Sequence, residues 1–109
     1  MDGMIKINLE ATVQQLVEEY ATPAIQANTY AISDVLRKVY TVVVVPTDFP
    51  REYFDAGIVV LARIADDHII IDEDTTDRPL VHELVRAGIP REQIILTYAG
   101  EKLPDSIAG

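Results

Sequence analysis

Acidic side chains are concentrated in one part of this 109-residue chain and are its first candidates for chemistry. We call this group the acidic cluster, and it comprises Asp66, Asp67, Asp72, Glu73, Asp74 and Asp77. Magnesium and calcium prefer carboxylate oxygens, so the acidic cluster could hold a divalent cation. However, Asp72 and Asp74 would project to one side of an extended chain and Glu73 to the other, and no glycine lies mid-run as in a calcium loop. Helix capping and solubility explain the same residues, so we expect no metal and no other cofactor.

The two histidines, His68 and His82, are the other groups able to exchange protons near neutral pH. His68 begins an apolar segment beside a turn, where side chains ordinarily face solvent. His82 lies four residues from both Arg78 and Arg86 in a predicted helix, which indicates an exposed polar face. Cysteine is absent, as are glycine-rich phosphate loops, serine nucleophile elbows and histidine-rich zinc spacings. We therefore expect a protein that is not an enzyme.

The composition suits one domain spanning residues 1–109. Apolar residues make up 49% of the chain, enough for a single core. The formal net charge of −9 opposes contact with phosphate backbones and anionic lipid headgroups, so we expect no direct nucleic-acid or membrane binding. The amino terminus lacks the apolar core of a secretion signal, and the longest apolar runs are too short to span a bilayer. These features predict a cytoplasmic protein.

Hydrophobic spacing predicts the elements of the first half. Apolar residues recur at helical intervals over residues 9–20, with Asn8 placed to cap, which predicts an amphipathic helix. Residues 28–35 fit either a strand or a helical stripe, and we interpret them as a strand. Residues 39–45 are rich in β-branched side chains and stop at Pro46, which predicts a strand buried on both faces.

The second half reads as a hairpin followed by a helix. The apolar segments 57–65 and 68–72 are separated by two aspartates that tolerate a tight turn, which predicts an antiparallel hairpin. A second helix is predicted near residues 76–88, started by the oxygens of residues 74–77 and stopped by Gly88. Its apolar stripe consists of Leu80, Val81, Leu84 and Val85.

The chain is predicted to close with a short helical turn at residues 90–93, an extended segment at 94–98 and a loose tail at 100–109. The order of elements indicates an α+β fold. We expect an N-terminal amphipathic helix, a three- or four-stranded and mostly antiparallel sheet, and the second helix packed with it.

Aromatic residues are the candidates for a protein-binding surface. Phe49, Tyr53 and Phe54 lie in a segment that mixes prolines, acids and rings without any period, as in a loop on a rigid sheet. Tyr98 ends the last apolar segment. Rings of this kind anchor protein interfaces at low entropy cost, although covering one end of the core would explain them equally well.

From residue 13 to Tyr98 the chain resembles the XisI family, the fdxN-element excision controlling factors found in cyanobacteria. Four motifs carry the resemblance in their order and spacing: Ile69-Ile-Ile, Asp74-Thr-Thr-Asp, Glu83-Leu-Val and Ala87-Gly-Ile-Pro-Arg-Glu-Gln-Ile-Ile-Leu96. The resemblance implies an α+β accessory protein without catalytic residues. Such a protein acts with a XisH-type partner to control a site-specific recombinase.

The charge of the chain limits how it could serve such a role. A protein at −9 is expected to act through contacts with a basic protein partner rather than by gripping DNA. Two other functions are also compatible with the sequence. One is a small metal-dependent enzyme that uses the acidic cluster, and the other is a homo-oligomeric binding module whose valine-rich strand pairs across a two-fold axis.

Overall fold

Two helices and a five-stranded sheet make up the computed structural model, which describes residues 8–47 and 55–107. The elements in chain order are α1 Leu9–Glu18, β1 Ala27–Asp34, β2 Val39–Pro46, β3 Gly57–Ala65, β4 His68–Asp74, α2 Leu80–Arg86 and β5 Ile94–Leu96. The strands lie in the order β1-β2-β3-β4-β5. The α+β class is confirmed, with one strand more than the three or four expected, because three-residue β5 is too short to show a period.

Helix α1 begins as its sequence predicts. The side chain of Asn8 accepts a hydrogen bond from the amide of Ala11 at 3.0 Å, which satisfies one of the free donors of the first turn. Val13 and Val17 lie one turn apart on the face turned to the sheet, and both are buried.

Strands β1 and β2 form a hairpin with eight residue pairs, so the interpretation of residues 28–35 as a strand is confirmed. In β2, Tyr40 and Val42 are buried, whereas Val43, Val44 and Val45 are half-buried. The prediction that this strand is buried on both faces was therefore wrong for one face. The helices among the described residues cover only one side of the sheet.

The turn between β3 and β4 has the form that its two aspartates favour. Asp66 and Asp67 have φ angles of 51° and 60°, the left-handed backbone of a two-residue hairpin turn. The strands on either side are antiparallel, with Ala65 opposite His68. The predicted hairpin is confirmed.

Helix α2 is shorter than predicted, because it begins at Leu80 with Pro79 as its N-cap residue. It ends as expected, since Gly88 has a φ of 104° and the amide of Ile89 returns to the carbonyl of Leu84 at 3.0 Å. The chain then passes through a 3₁₀ turn at Arg91–Gln93. Strand β5 joins the sheet parallel to β4, which is possible because α2 forms the crossover.

Both helices pack on one face of the sheet and share one core with it. The buried core comprises Val13, Val17, Tyr20, Tyr40, Val42, Val60, Ala62, Ile69, Ile71, Leu80, Val81, Leu84, Ile89 and Ile94. Neither helix of the described residues is long and apolar enough to cross a membrane. The tail predicted to be loose from Gly100 contacts the rest of the domain through Ser106, whose hydroxyl lies 3.3 Å from the carboxylate of Asp66.

Candidate protein-binding surface

Asp74, at the centre of the acidic cluster, is a structural cap. One of its oxygens accepts from the amide of Leu80 at 2.7 Å, and the other accepts from the amide and the hydroxyl of Thr76 at 2.9 and 2.7 Å. The predicted capping by residues 74–77 thus comes from Asp74, six residues before the helix. The N-cap residue Pro79 has no side-chain acceptor for the amides of the first helical turn. The carboxylate of Asp74 accepts from the Leu80 amide in its place.

The other acids of the cluster have separate neighbours. Asp72 accepts from the guanidinium of Arg63 at 2.7 Å and from the hydroxyl of Thr97 at 2.6 Å. Glu73 accepts from the next backbone amide at 3.1 Å, and Asp77 is exposed. In residues 8–47 and 55–107, no three His, Cys, Asp or Glu side chains come together as a metal site would require. Asp72 and Glu73 thus make separate contacts with an arginine, a hydroxyl and a backbone amide.

Tyr20 and Arg78 join α1 to the segment before α2. The Tyr20 hydroxyl donates to the carbonyl of Arg78, and the guanidinium of Arg78 lies 4.4 Å from the centre of the Tyr20 ring. Arg78 also pairs with Glu83 at 3.6 Å. Burial raises the pKa of Tyr20 to about 12, although the positive charge of Arg78 opposes the rise. These residues hold the two helices together.

The outer edge of β5 is closed by side chains. Arg91 donates to the carbonyl of Ile94 at 2.7 Å, and Glu101 accepts from the amide of Leu96 at 2.9 Å. The two side chains also form an ion pair at 2.6 Å. The bond from the Leu96 amide and the nearby Arg91 hold the pKa of Glu101 below its usual range. The Ile94 carbonyl and the Leu96 amide therefore have partners already and are not free to pair with another strand.

A groove of about 620 Å³ lies between α2 and this closed edge. It is lined by Val81, His82, Val85, Arg86, Arg91 and Leu96. Three residues of the predicted apolar stripe, Leu80, Val81 and Leu84, are buried, whereas Val85 is 43% exposed. The core packs against only part of the apolar face of this seven-residue helix, and Val85 lies outside that part. His82 is exposed, as its spacing predicts.

Tyr98 is the one predicted partner-binding residue that the structure describes. It lies in a second 3₁₀ turn, Thr97–Ala99, and is 38% exposed. Burial of its inner part raises the pKa of Tyr98, and the negative charge of Asp74 adds to the rise. Phe49, Tyr53 and Phe54 lie outside the described residues.

Four exposed acids lie on three segments that meet at one end of the molecule, which we call the acidic end: Asp66, Asp67, Glu92 and Asp105. Two hydrogen bonds join these segments. Gln93, next to Glu92, donates to the carbonyl of Asp67 at 2.7 Å, and Ser106, next to Asp105, bonds to Asp66. Sequence reasoning missed this grouping, because three segments distant in the chain contribute to it. The acidic end adjoins the groove at the 3₁₀ turn Arg91–Gln93, which supplies a residue to each.

Basic side chains in the described part of the chain are largely neutralised. Six of the seven Lys and Arg residues there lie 2.6–3.6 Å from a carboxylate: Arg37, Lys38, Arg63, Arg78, Arg86 and Arg91. Lys102 is the seventh. The described surface therefore offers acids and ion pairs in place of the free cations that bind phosphates.

These features define a small α+β protein whose polar motifs build turns, caps and a closed sheet edge. The sequence model of the family described as XisI protein matches residues 1–105, and the chain belongs to the XisI family. The resemblance noted from the sequence is thereby confirmed. A search of curated proteins found no match.

Two solved structures share this fold over most of their length. A XisI-like protein from Anabaena variabilis has 26% sequence identity and a TM-score of 0.73, with 91% of this chain and 89% of that chain covered. The fdxN element excision controlling factor XisI from the same organism also has 26% identity. Its TM-score is 0.68, and 83% of each chain is covered.

Proposed function

We propose that this protein is a non-catalytic accessory factor that controls excision of a DNA element through contacts with a basic, XisH-type protein. Membership of the XisI family supports the accessory role, and one of the two structural relatives is an fdxN element excision controlling factor. The partner, in turn, acts on the site-specific recombinase.

The observation that carries the mechanism is the pairing of six of the seven described cations with carboxylates. DNA binding draws its affinity from Lys and Arg that replace counterions on phosphates, and a cation already held by an acid contributes little. The whole chain carries a charge of −9. A basic protein is attracted to such a surface, whereas DNA is repelled.

The contact surface of this proposal is the acidic end together with the adjoining groove. The four acids of the acidic end are exposed, and the groove beside them offers the half-exposed Val85 and the rim residue His82. Charged residues at a rim steer a partner, and apolar residues at the centre supply the affinity. Tyr98 remains a proposed anchor on its 3₁₀ turn.

The test is to purify the chain and a XisH-type protein and to measure their affinity by calorimetry. Replacement of Asp66 and Asp67 by asparagine removes two charges and keeps side chains that favour the left-handed turn. We expect the dissociation constant to rise roughly tenfold, with a weaker dependence on salt. The matched control replaces Glu18 and Glu19, two exposed acids at the end of α1, by glutamine.

An equal loss of affinity in both double variants would mean that only total charge matters and would reject the acidic end. The accessory mechanism itself is tested with labelled duplex DNA. We expect no binding below about 10 μM protein at physiological salt. Tight DNA binding by the isolated chain would overturn the mechanism.

A further inference from the structure

Strand β1 forms the first edge of the sheet, and part of that edge has no partner in the described part of the chain. On its inner side β1 pairs with β2 from Ala27 to Asp34 without a break. On its outer side, Ala24 forms a bridge with Ala27, and the Thr29 hydroxyl donates to the carbonyl of Thr22 at 2.8 Å. From residue 30 to 34, no strand among residues 8–47 and 55–107 lies on the outer side.

The backbone groups of Ala31 and Ser33 point away from the sheet at this free edge. The amide of Thr47 donates to the carbonyl of Gln26 at 2.9 Å, so the backbone groups of Gln26 point towards β2. In an antiparallel pair the backbone N–H and C=O groups of successive residues point alternately to the two sides of the strand. The backbone groups of every second residue after Ala27 therefore point away from β2. The bridge from Ala27 to Ala24 agrees with this alternation. Ala31 and Ser33 thus present two donors and two acceptors.

This free edge lacks the features that usually protect exposed strands. Natural edge strands carry proline, lysine or a bulge that prevents pairing with another chain. The segment from residue 30 to 34 contains no proline or lysine, and its register with β2 is regular. Its one charged residue, Asp34, is paired with Arg37. Strand β5, at the other edge, is closed by Arg91 and Glu101. The two edges of the sheet therefore differ in kind.

Large apolar side chains accompany the free edge. Tyr30 is 49% exposed and Ile32 is 51% exposed. Both project to the sheet face opposite the helices, because their neighbour Ala31 pairs with Val42, which belongs to the core beneath the helices. Val35 and Leu36 in the following turn are also exposed. Contiguous apolar surface of this kind marks an interaction site.

The charges around the free edge favour a second copy of this chain over a basic partner. Asp34 is the one charged residue of β1, and it pairs with Arg37 at 3.1 Å. Lys38 pairs with Glu10 at 3.4 Å. This region is close to neutral within a chain at −9, so a basic protein gains no attraction there, and two copies can meet without bringing unpaired acids together.

We propose that the free edge of β1 pairs antiparallel with the same edge of a second copy, which makes a symmetric dimer with a continuous ten-stranded sheet. This inference does not depend on the proposed function. The valine-rich strand β2, which the sequence offered for such pairing, has β1 and β3 on its two sides and cannot take this role.

The free groups also define the register of this dimer. Side chains of directly opposite residues project to the same face of a sheet. In a symmetric pair an even-numbered residue of β1 therefore lies opposite an even-numbered one, and an odd-numbered residue opposite an odd-numbered one. With Ile32 on the two-fold axis, Ala31 of one copy exchanges both hydrogen bonds with Ser33 of the other. A shift that places Ala31 on the axis would bring Ser33 against Thr29, where Thr22 already lies. Ile32 therefore faces Ile32 of the second copy.

Single cysteines test this register directly, because the chain has none of its own. Opposite residues that do not exchange hydrogen bonds have Cα atoms about 4.5 Å apart, within reach of a disulfide. We expect Ile32→Cys to form a covalent dimer under mild oxidation. The control is Ile58→Cys on β3, because Ile58 is 43% exposed on the same sheet face and pairs with Val43 inside the sheet. Equal cross-linking of both variants, or none for Ile32→Cys, would reject the proposal.

Sedimentation of the unmodified protein gives an independent readout. Edge pairing buries little surface, so we expect a reversible dimer with a dissociation constant on the order of 10 μM. Ile32→Lys adds the charge that natural edges use, and we expect it to weaken the dimer at least about tenfold, while Ile58→Lys leaves the dimer intact. Circular dichroism checks that both variants fold. A wild-type chain that stays monomeric up to about 200 μM would overturn the inference.

Discussion

At the scale of single residues, the most recognisable polar residues of this chain position the backbone. Asp74 holds the start of α2, and Arg91 with Glu101 closes the edge of β5. Each binds backbone groups that would otherwise lack a partner, and such bonds are costly to lose. The motifs that mark the family therefore carry the fold. The residues proposed to bind a partner, such as Tyr98 and Val85, are less conspicuous in the sequence.

The importance of Asp74 can be measured against its neighbour in the same motif. Asp74→Ala removes the acceptor for the amides of Leu80 and Thr76, and we expect a loss of about 1–2 kcal/mol in the free energy of unfolding. Asp77→Ala removes an exposed acid and should change it by less than about 0.5 kcal/mol. Urea denaturation measures both, and equal effects would contradict the capping role.

At the scale of elements, the connection from α2 to β5 determines how the final strand joins the sheet. The helix must stop at Gly88 so that Ile89 can enter the core and the chain can turn back beside β4. The resulting 3₁₀ turn places Gln93 against the β3–β4 turn. This short connection thus shapes both the groove and the acidic end.

Gly88→Ala tests that connection, because its φ of 104° is unfavourable for any residue with a Cβ atom. We expect a loss of about 1–2 kcal/mol in the free energy of unfolding. The control is Gly57→Ala in β3, where an added Cβ would meet nothing within 4 Å. That variant should stay within about 0.5 kcal/mol of the wild type in a thermal or urea melt. A neutral Gly88→Ala would mean that the helix end can adopt another conformation.

At the scale of the whole molecule, the sheet has two unlike edges and an uneven distribution of charge. The free edge of β1 suits a second copy, and the acidic end lies by β5 at the other side of the sheet. One protein can therefore pair with itself and still present its acidic surface to a basic partner. The same acidic side chains also repel one another within the folded protein, which lowers its stability.

This self-repulsion predicts a response to salt. Between about 20 and 500 mM NaCl the melting temperature should rise by about 4 °C, roughly 1 kcal/mol for a domain of this size, because salt screens the acids from one another. Magnesium, manganese or calcium chloride at matched ionic strength should add nothing further. A specific cation would raise stability by mass action in proportion to its occupancy. A larger rise with one of these ions would favour the metal-dependent alternative.

The sequence by itself determined the properties that depend on near neighbours. Helical spacing predicted α1, alternation and β-branched residues predicted the strands, two aspartates predicted the hairpin turn, and Gly88 predicted the end of α2. The family motifs and the net charge could also be determined from the sequence. All of these features depend on neighbouring residues or on a sum over the chain, so they can be determined without knowledge of the fold.

Only the tertiary structure decided which strand lies at the edge, which acids meet and which apolar residues stay exposed. The sequence did not indicate that β1 would have a free edge while the edge of β5 is closed. Nor did it indicate that the segments carrying Glu92 and Asp105 would lie beside the β3–β4 turn. The exposure of Val85 was also decided by the tertiary structure, because burial of a helical residue depends on which other segments pack against the helix. These outcomes arise from contacts between residues distant in the sequence, and hydrophobic period carries no information about them.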